Sequence, residues 1–272
     1  MGGFGSFHEI AALHYFKGCV VEIVPNESFD DQFRTMRQGG ADYAITAIEN
    51  SVAGSILPNY QLLRESGLSI AGELYLRVSQ NLAALPGESI DDLREVYSHP
   101  MAILQSKAFF DKYPHIKLID GKDTSSCMRN ISIGRQKGIG AIGSLLAAEK
   151  FNLQILATNI ETNKKNYTRF LITTRQHIEH ISDKADKASI CFALSHEIGS
   201  LAKILSIFSY FNVNLSKIQS LPIIGNEWEY LFYVDLEFSD KKKYDQSLIS
   251  VAPFISDFCQ MGMYKKGDVI ME

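Results

Sequence analysis

Up to about residue 180, short apolar runs alternate with stretches of helical period, and beyond Asp186 that rhythm gives way to another. "DYAITAI" (42–48), "EVYS" (95–98), "GIGAIG" (138–143) and "TRFLITT" (168–174) have the length and composition of strands, while "SFHEIAALHYF" and "PMAILQSKAFFDKY" repeat their apolar residues at helical spacing. Strands alternating with helices imply an α/β domain with a largely parallel sheet, over about residues 1–180. The polar segment "TRQHIEHISDKADK" (174–187) is a linker, and residues 187–272 form a second domain. There "ASICFAL", "VNLSKIQSL" and "EYLFYVDLEF" are strands, and "GSLAKILSIFSYF" is a helix with Leu201, Ile204, Leu205 and Phe208 on one face. A second helix lies within "KKYDQSLISVAPFISDF", and "CQMGMYKK" closes the sheet. The order βαββαβ is ferredoxin-like, a small two-layer module.

Charge and composition exclude several classes. The 27 basic and 31 acidic residues give a net charge of −4, which suits neither a nucleic-acid nor a membrane surface. No apolar run approaches the roughly 18 residues of a membrane span, and there is no signal-like segment, so a cytoplasmic protein is expected. Cys19, Cys127, Cys191 and Cys259 are widely spaced and form no CxxC pair, as expected of reduced thiols. Seven scattered histidines lack metal-ligand spacing, so no metal is expected.

Small or hydroxyl residues recur where helices should begin. Ser6 and Glu9 fit a capping box behind Gly2, Gly3 and Gly5, with Ile10, Leu13 and Phe16 following; Asn50 and Ser51 follow a strand directly. Ser98 can cap a helix opened by Pro100 with Met101, Leu104 and Ala108 as its buried stripe, and Gly143 and Ser144 stand between strand and helix. Helix N-termini carry unpaired N–H groups and about half a positive charge, and ligands of open α/β sheets bind beyond the strand ends. Several such ends facing one cleft could hold a small molecule with more than one carboxylate, although every α/β protein caps its helices with such residues.

The stretches "GGFGSFHEIAA", "AIENSVAGSI", "SHPMAILQ", "DTSSCM", "AIGSLLAAEKFNL", "NIETNKKNYTRFLI" and "IGSLAKIL" resemble, in order, the motifs of prephenate dehydratases with a C-terminal ACT regulatory domain. The resemblance covers nearly the whole chain, and the combination of "ENS", "SHP" and "TRF" is specific. It implies a two-lobed catalytic domain like the periplasmic binding proteins, with one lobe at about 1–75 plus 165–180 and the other at about 76–164. It also implies conversion of prephenate to phenylpyruvate, with loss of water and carbon dioxide, in phenylalanine biosynthesis. No cofactor is implied, because aromatisation of the ring supplies the driving force.

By the same resemblance Thr168 is the catalytic residue, a hydrogen-bond donor to the departing hydroxyl, a role of the size of about 10²- to 10⁴-fold. Ser6, Asn50 and Ser51 are the implied substrate-binding residues, and Phe170, on the cleft side with Thr168, keeps that cleft dry. Arg169 points to the opposite face of its strand, toward a protein carboxylate or across the hinge. Glu49 buttresses the loop, since a carboxylate facing a dianion would repel it, and Ser98 and His99 stand behind the substrate contacts. Phenylalanine is the implied inhibitor, bound between ACT domains of a homodimer or homotetramer near Gly199-Ser200-Leu201 and Gln219-Ser220-Leu221-Pro222. Relatives read "ESRP" in the second segment, so both of its charges are missing here.

Three further departures bear on these expectations. His8 stands where the family has a different polar residue, and Met101 replaces a glutamine. Relatives also carry a strand before the "GSF" loop, so a natural reading frame that begins upstream of Met1 is expected. Two other functions stay open at this point: arogenate dehydratase, the same chemistry on an amine-bearing substrate, and a non-catalytic amino-acid sensor.

Overall fold

The computed structural model describes residues 2–176, 184–195, 197–223 and 229–271. Helix α1 (Phe7–Tyr15) begins where Ser6 accepts the Glu9 N–H, and α2 (Phe29–Arg37) where Ser28 accepts that of Asp31. Such side chains satisfy donors that a helix start leaves open. Strand β1 (Tyr43–Asn50) turns into the two-residue β2 (Gly54–Ser55). Helix α3 (Leu57–Ser66) follows, with proline in its first turn and left-handed Gly67 at its end, and β3 (Ser69–Arg77) leads out of this first lobe.

The second lobe comprises β4 (Asn81–Ala84), β5 (Glu95–Ser98), α4 (Pro100–Phe110), β6 (Lys117–Asp120), α5 (Thr124–Gly134), β7 (Ile139–Gly143), α6 (Leu145–Lys150) and β8 (Gln154–Ala157). The chain returns to the first lobe through β9 (Tyr167–Thr174). Beyond it come β10 (Lys187–Leu194), α7 (Ser200–Tyr210), β11 (Asn214–Pro222), β12 (Tyr230–Glu237), α8 (Lys241–Val251) and β13 (Ser256–Tyr264). A last short strand is β14 (Val269–Ile270).

These strands form three sheets, ordered β14-β3-β9-β1-β2, β6-β5-β7-β4-β8 and β11-β12-β10-β13. The third is antiparallel throughout and, with α7 and α8, has ferredoxin-like connectivity. The other two depart from the expected largely parallel arrangement. Among the described residues only β5–β6, β5–β7 and β14–β3 run parallel, while β9 is antiparallel to both β1 and β3. The cause is the double crossing between lobes: the chain leaves along β3 and comes back along β9, so these neighbours run in opposite directions. Half of the linker segment, residues 177–183, lies outside the described residues.

Two more features differ from the sequence reading. The C-terminal residues of the second domain do not stay within it, because β14 pairs with Tyr75 and Leu76 in the sheet of the first lobe. On α4 the buried stripe is Ala102, Ser106 and Phe110; Leu104 and Ala108 are exposed.

The ferredoxin-like sheet is covered on both faces. Ala188, Ile190, Phe192 and Leu194 of β10 pack toward α7 and α8 with Ile204, Phe208 and Val251. Alternate residues Cys191 and Ala193 join Tyr233 and Met261 in a core shared with Phe33, Ile48, Tyr60 and Ile70 of the first lobe. Burial on both faces explains why "ASICFAL" is apolar without alternation. The first lobe's sheet is likewise sandwiched, with Ile45, Ala47, Phe170 and Ile172 facing α1 on its other side. Among the described residues no helix is long and apolar enough to cross a membrane.

Candidate active site

Alternation along β9 sends Thr168 and Phe170 one way and Arg169 the other. Thr168 and Phe170, both buried, line a cleft of about 230 Å³ between the lobes, together with Ser6, His8, Asn50, Gln80, His99, Gln105 and Thr124. Asn50 is the register partner of Thr168 on the neighbouring strand, and its Nδ2 donates to Thr168 Oγ1 at 3.0 Å and to Asn166 Oδ1 at 2.7 Å. Asn166 in turn donates to Gln105 Oε1 at 3.0 Å. Asn50 Oδ1 accepts the N–H groups of Val52 and Ala53, which fixes the amide's orientation and its turn. The Thr168 hydroxyl oxygen therefore receives a hydrogen bond while its own proton remains available to a group in the cleft. A hydroxyl that accepts one hydrogen bond becomes a stronger donor of another.

Three helix N-termini meet the cleft wall: α1 at Ser6–His8, α4 at His99–Ala102 and α5 at Asp123–Thr124. Their open N–H groups favour an anion. Two buried polar atoms of lining residues, His8 Nε2 and Gln80 Oε1, have no protein partner among the described residues. Unpaired buried polar atoms are rare and costly, so these two mark where a bound molecule would complete the site. Burial drives the His8 pKa well below 6.5, and the ring packs edge-on against Phe170 at 5.0 Å. It is a neutral imidazole at physiological pH.

The glycine-rich loop before α1 is fastened to the second lobe. Ser144 Oγ donates to Gly5 O at 2.6 Å, Ser125 donates to Phe4 O, and Glu9 pairs with Lys150. Gly5 has φ near +80°, and a Cβ there would lie 2.5 Å from Ala147 Cα, so only glycine lets the lobes meet this closely.

Arg169, on the reverse face, is 2% exposed and enters a network across the domain boundary. It pairs with Glu73 at 2.6 Å, with Glu49 at 3.3 Å and with Asp235 of β12, and it donates to the Tyr264 hydroxyl of β13 at 3.1 Å. Lys187 of β10 pairs with Glu73 at 2.9 Å, and Lys217 of β11 with Glu49. Three cations thus meet three carboxylates in a largely buried region. Burial, the largest single influence, opposes ionisation of Arg169, but Asp235, Tyr264, Glu73 and Tyr75 together outweigh it and hold the guanidinium well above its ordinary pKa. Asp235 is the mirror case: burial pushes its pKa up, and Arg169 and Ser189 bring it below the usual value.

The residues singled out in the sequence divide as follows. Ser6, Asn50, Thr168, Phe170 and His99 line the cleft, whereas Ser51, Ser98, Glu49 and Arg169 do not. Ser51 Oγ is taken up by the backbone, donating to Lys165 O and accepting the Tyr167 N–H, and its turn leads into β2 instead of a helix. Ser98 does not cap α4: it is fully buried and donates to Ile142 O, while His99 Nδ1 caps by accepting the Met101 N–H. Glu9 returns its capping bond to the Gly5 N–H rather than to Ser6. In the second domain, left-handed Gly199 precedes the first residue of α7, Ser200, and Leu201 packs against the helix-side core. On β11, Leu221 packs toward the first lobe and Gln219 shares its face, while Ser220 and Pro222 are exposed.

Asn166, Gln105 and Gln80 were missed. Asn166 shares the strand parity of Thr168 and Phe170, and Gln105 lies four residues after Met101 on α4; those periods were the available signals. Gln80 has no such signal, because it sits in the crossing between lobes.

Fold and site together define a two-lobed α/β protein with a cleft of apolar walls and a few polar side chains at the lobe junction, and a ferredoxin-like module docked behind it. The chain belongs to the prephenate dehydratase family, whose model matches residues 1–178. It is 28% identical over 274 residues to the bifunctional chorismate mutase/prephenate dehydratase of Escherichia coli K12, covering 99% of this chain and 71% of that one. To arogenate dehydratase/prephenate dehydratase 1 of Arabidopsis thaliana it is 37% identical over 249 residues, covering 86% of this chain and 63% of the relative. Among solved structures, the Arthrobacter aurescens prephenate dehydratase in complex with L-Phe superimposes with a TM-score of 0.85 at 25% identity, over 98% of this chain and 89% of that one. A protein described as GqqA, a novel type of quorum quenching acylase, gives a TM-score of 0.89 at 26% identity, over 97% and 96% of the two chains.

Proposed function

We propose that this chain converts prephenate to phenylpyruvate in the cleft between its lobes, and that its ferredoxin-like module is an ACT domain that binds phenylalanine and inhibits. The observation that carries the catalytic reading is the Asn50–Thr168 bond, in which Thr168 accepts and so keeps its own proton for a substrate. Prephenate is a dianion, which suits a wall of helix N-termini. In the reaction the bond from the ring to its carboxylate breaks, its electron pair enters the ring, and the ring's C–O bond breaks. The dianion becomes monoanionic phenylpyruvate, carbon dioxide and hydroxide, so charge balances. Thr168 hydrogen-bonds the oxygen as negative charge grows on it, and Phe170 excludes water beside it.

The likeness to an acylase supports a second reading less well. Hydrolysis by a threonine nucleophile needs a base to take its proton, and the side chain that bonds Thr168 is an amide that donates. Arogenate as substrate is chemically close, since only the arm differs. Incubating the pure protein with prephenate, with arogenate and with an N-acyl amide, and following phenylpyruvate, phenylalanine or free amine, separates the three. Turnover of the amide alone would overturn the dehydratase reading. The effector reading, a ligand for Gly199–Leu201 and Gln219–Pro222 in a homo-oligomer, draws on the relative crystallised with L-Phe. It is tested by titrating phenylalanine against turnover. A cytoplasmic site of action belongs to the same proposal.

A further inference from the structure

Lys217 belongs to β11, the outermost strand of the ferredoxin-like sheet, yet its side chain ends at the catalytic lobe. Its Nζ donates to Glu49 and, at 2.7 Å, to Ser55 Oγ. Glu49 and Ser55 are cross-strand partners at the foot of the β1–β2 hairpin, and Asn50 is paired with Gly54 one step nearer its tip. Because β2 is only two residues long, these are the hairpin's two register pairs, and its own ladder holds it weakly.

The register between β1 and β9 places Glu49 opposite Arg169 and Asn50 opposite Thr168. Successive residues face opposite sides of the sheet, so the ionic pair looks toward the ferredoxin-like domain and the amide–hydroxyl pair toward the cleft. One backbone step separates what Lys217 grips from what touches Thr168. A bulge between Leu215 and Lys217 aims the lysine: Leu215 packs on the helix side, and beyond the register shift Leu221 packs on the lobe side, with Lys217 on the same strand parity. Bulges beside functional sites commonly redirect a side chain in this way.

We infer that Lys217 is a positioning residue of the cleft, supplied by the second domain, which sets the Asn50 hairpin through Glu49 and Ser55 so that the Asn50 amide meets Thr168. This inference rests on the dehydratase reading for its kinetic effect. The Lys217–Glu49 pair is partly solvated, with side-chain exposures of 20% and 24%, so its effect lies in placement more than in stability. Gln219 and Leu221 follow Lys217 on the same strand, so displacement of β11 reaches the hairpin through Lys217.

The experiment compares Lys217→Met, Lys217→Arg, Glu49→Gln and the double variant Lys217→Met/Glu49→Gln in the full chain, with surface Lys241→Met as control. Misplacement of a reacting group by about 1 Å costs on the order of 10²-fold. Lys217→Met is expected to lower kcat about 10- to 100-fold with a smaller change in KM, and Lys217→Arg to recover most of the loss. The double variant should be slower than Glu49→Gln by less than the full Lys217→Met factor, since the two changes share the Lys217–Glu49 pair while Lys217 also holds Ser55 and Glu49 also holds Arg169. Wild-type kcat in Lys217→Met, or losses that multiply in the double variant, would overturn the inference. A loss explained by a lower folded fraction in thermal melts would do the same. If the wild type turns over neither prephenate nor arogenate, the dehydratase reading fails separately. The Asn50 side-chain amide resonances then decide: they should shift in Lys217→Met and not in Lys241→Met, and unchanged resonances overturn the positioning role.

Discussion

Replacing Thr168 by alanine removes one hydroxyl and one methyl from a site that is 8% exposed. The structure separates the cost to folding from the cost to catalysis. Asn50 Nδ2 loses Thr168 as acceptor but keeps Asn166 Oδ1 at 2.7 Å and Tyr167 O at 3.3 Å, so no buried amide is orphaned. The stability loss is then one ordinary hydrogen bond, about 0.5–1.5 kcal/mol, plus about 0.8 kcal/mol for a methyl group. Catalysis should suffer more, because the lost donor acts on charge that develops only as the C–O bond breaks. General-acid-like assistance contributes about 10²- to 10⁴-fold, or roughly 2.7–5.4 kcal/mol of barrier at 1.36 kcal/mol per tenfold. Steady-state formation of phenylpyruvate should therefore show kcat reduced at least about 100-fold in Thr168→Ala. Thr168→Val, which keeps the volume, should be equally impaired, and Thr168→Ser should retain more activity than either. A Thr168→Ala variant within tenfold of wild type would remove the hydroxyl from the mechanism, and a valine variant faster than serine would show that packing is what matters.

Arg169→Met leaves Glu49, Glu73 and Asp235 facing two lysines, and breaking a buried ionic pair costs about 3–5 kcal/mol. Urea denaturation should show a loss of that size, and one below about 1 kcal/mol would mean that solvent compensates the site. The depressed His8 pKa makes stability pH-dependent, because the unfolded chain takes up a proton near 6.5 before the folded one does. Wild type should therefore lose stability as pH falls below 6.5 toward the folded value, and His8→Ser should lack that loss; parallel urea midpoints at about pH 7.5 and about pH 5.5 would refute it. Phenylalanine should slow prephenate turnover with a coupling of about 1–3 kcal/mol, and indifference at millimolar concentration would leave the Gln219–Pro222 segment without an effector role.

The elements of this fold were legible where local chemistry decides them. Ser6 and Ser144 begin helices, β9 begins beside Thr168, and the βαββαβ order of the second domain follows from apolar periods alone. Strand direction was not legible in the same way, because it depends on the chain crossing between lobes twice, at Val78–Gln80 and again before Tyr167. Nor was β14, whose two residues carry no periodic signal and become a strand only by lying against β3. In the site, strand parity sufficed to put Thr168 and Arg169 on opposite faces. It could not name the partners of Arg169, since Asp235 and Tyr264 are distant in sequence and arrive through domain docking.

That docking changes what a two-domain reading of this chain means. Arg169 and Lys187 are both almost wholly buried, and neither would be so in an isolated domain, where each would meet water. Leaving water is costly for an ion, and here the cost is met by carboxylates drawn from both sides: Glu49 and Glu73 from the first lobe, Asp235 from the second domain. An apolar seam would hold two domains together equally well but would tolerate sliding, since dispersion contacts have little directional preference. A network of forked guanidinium and carboxylate bonds has one good geometry, and Arg169 shares its backbone with Thr168. The position of the Thr168 hydroxyl is thus tied to the second domain by the adjacent peptide unit.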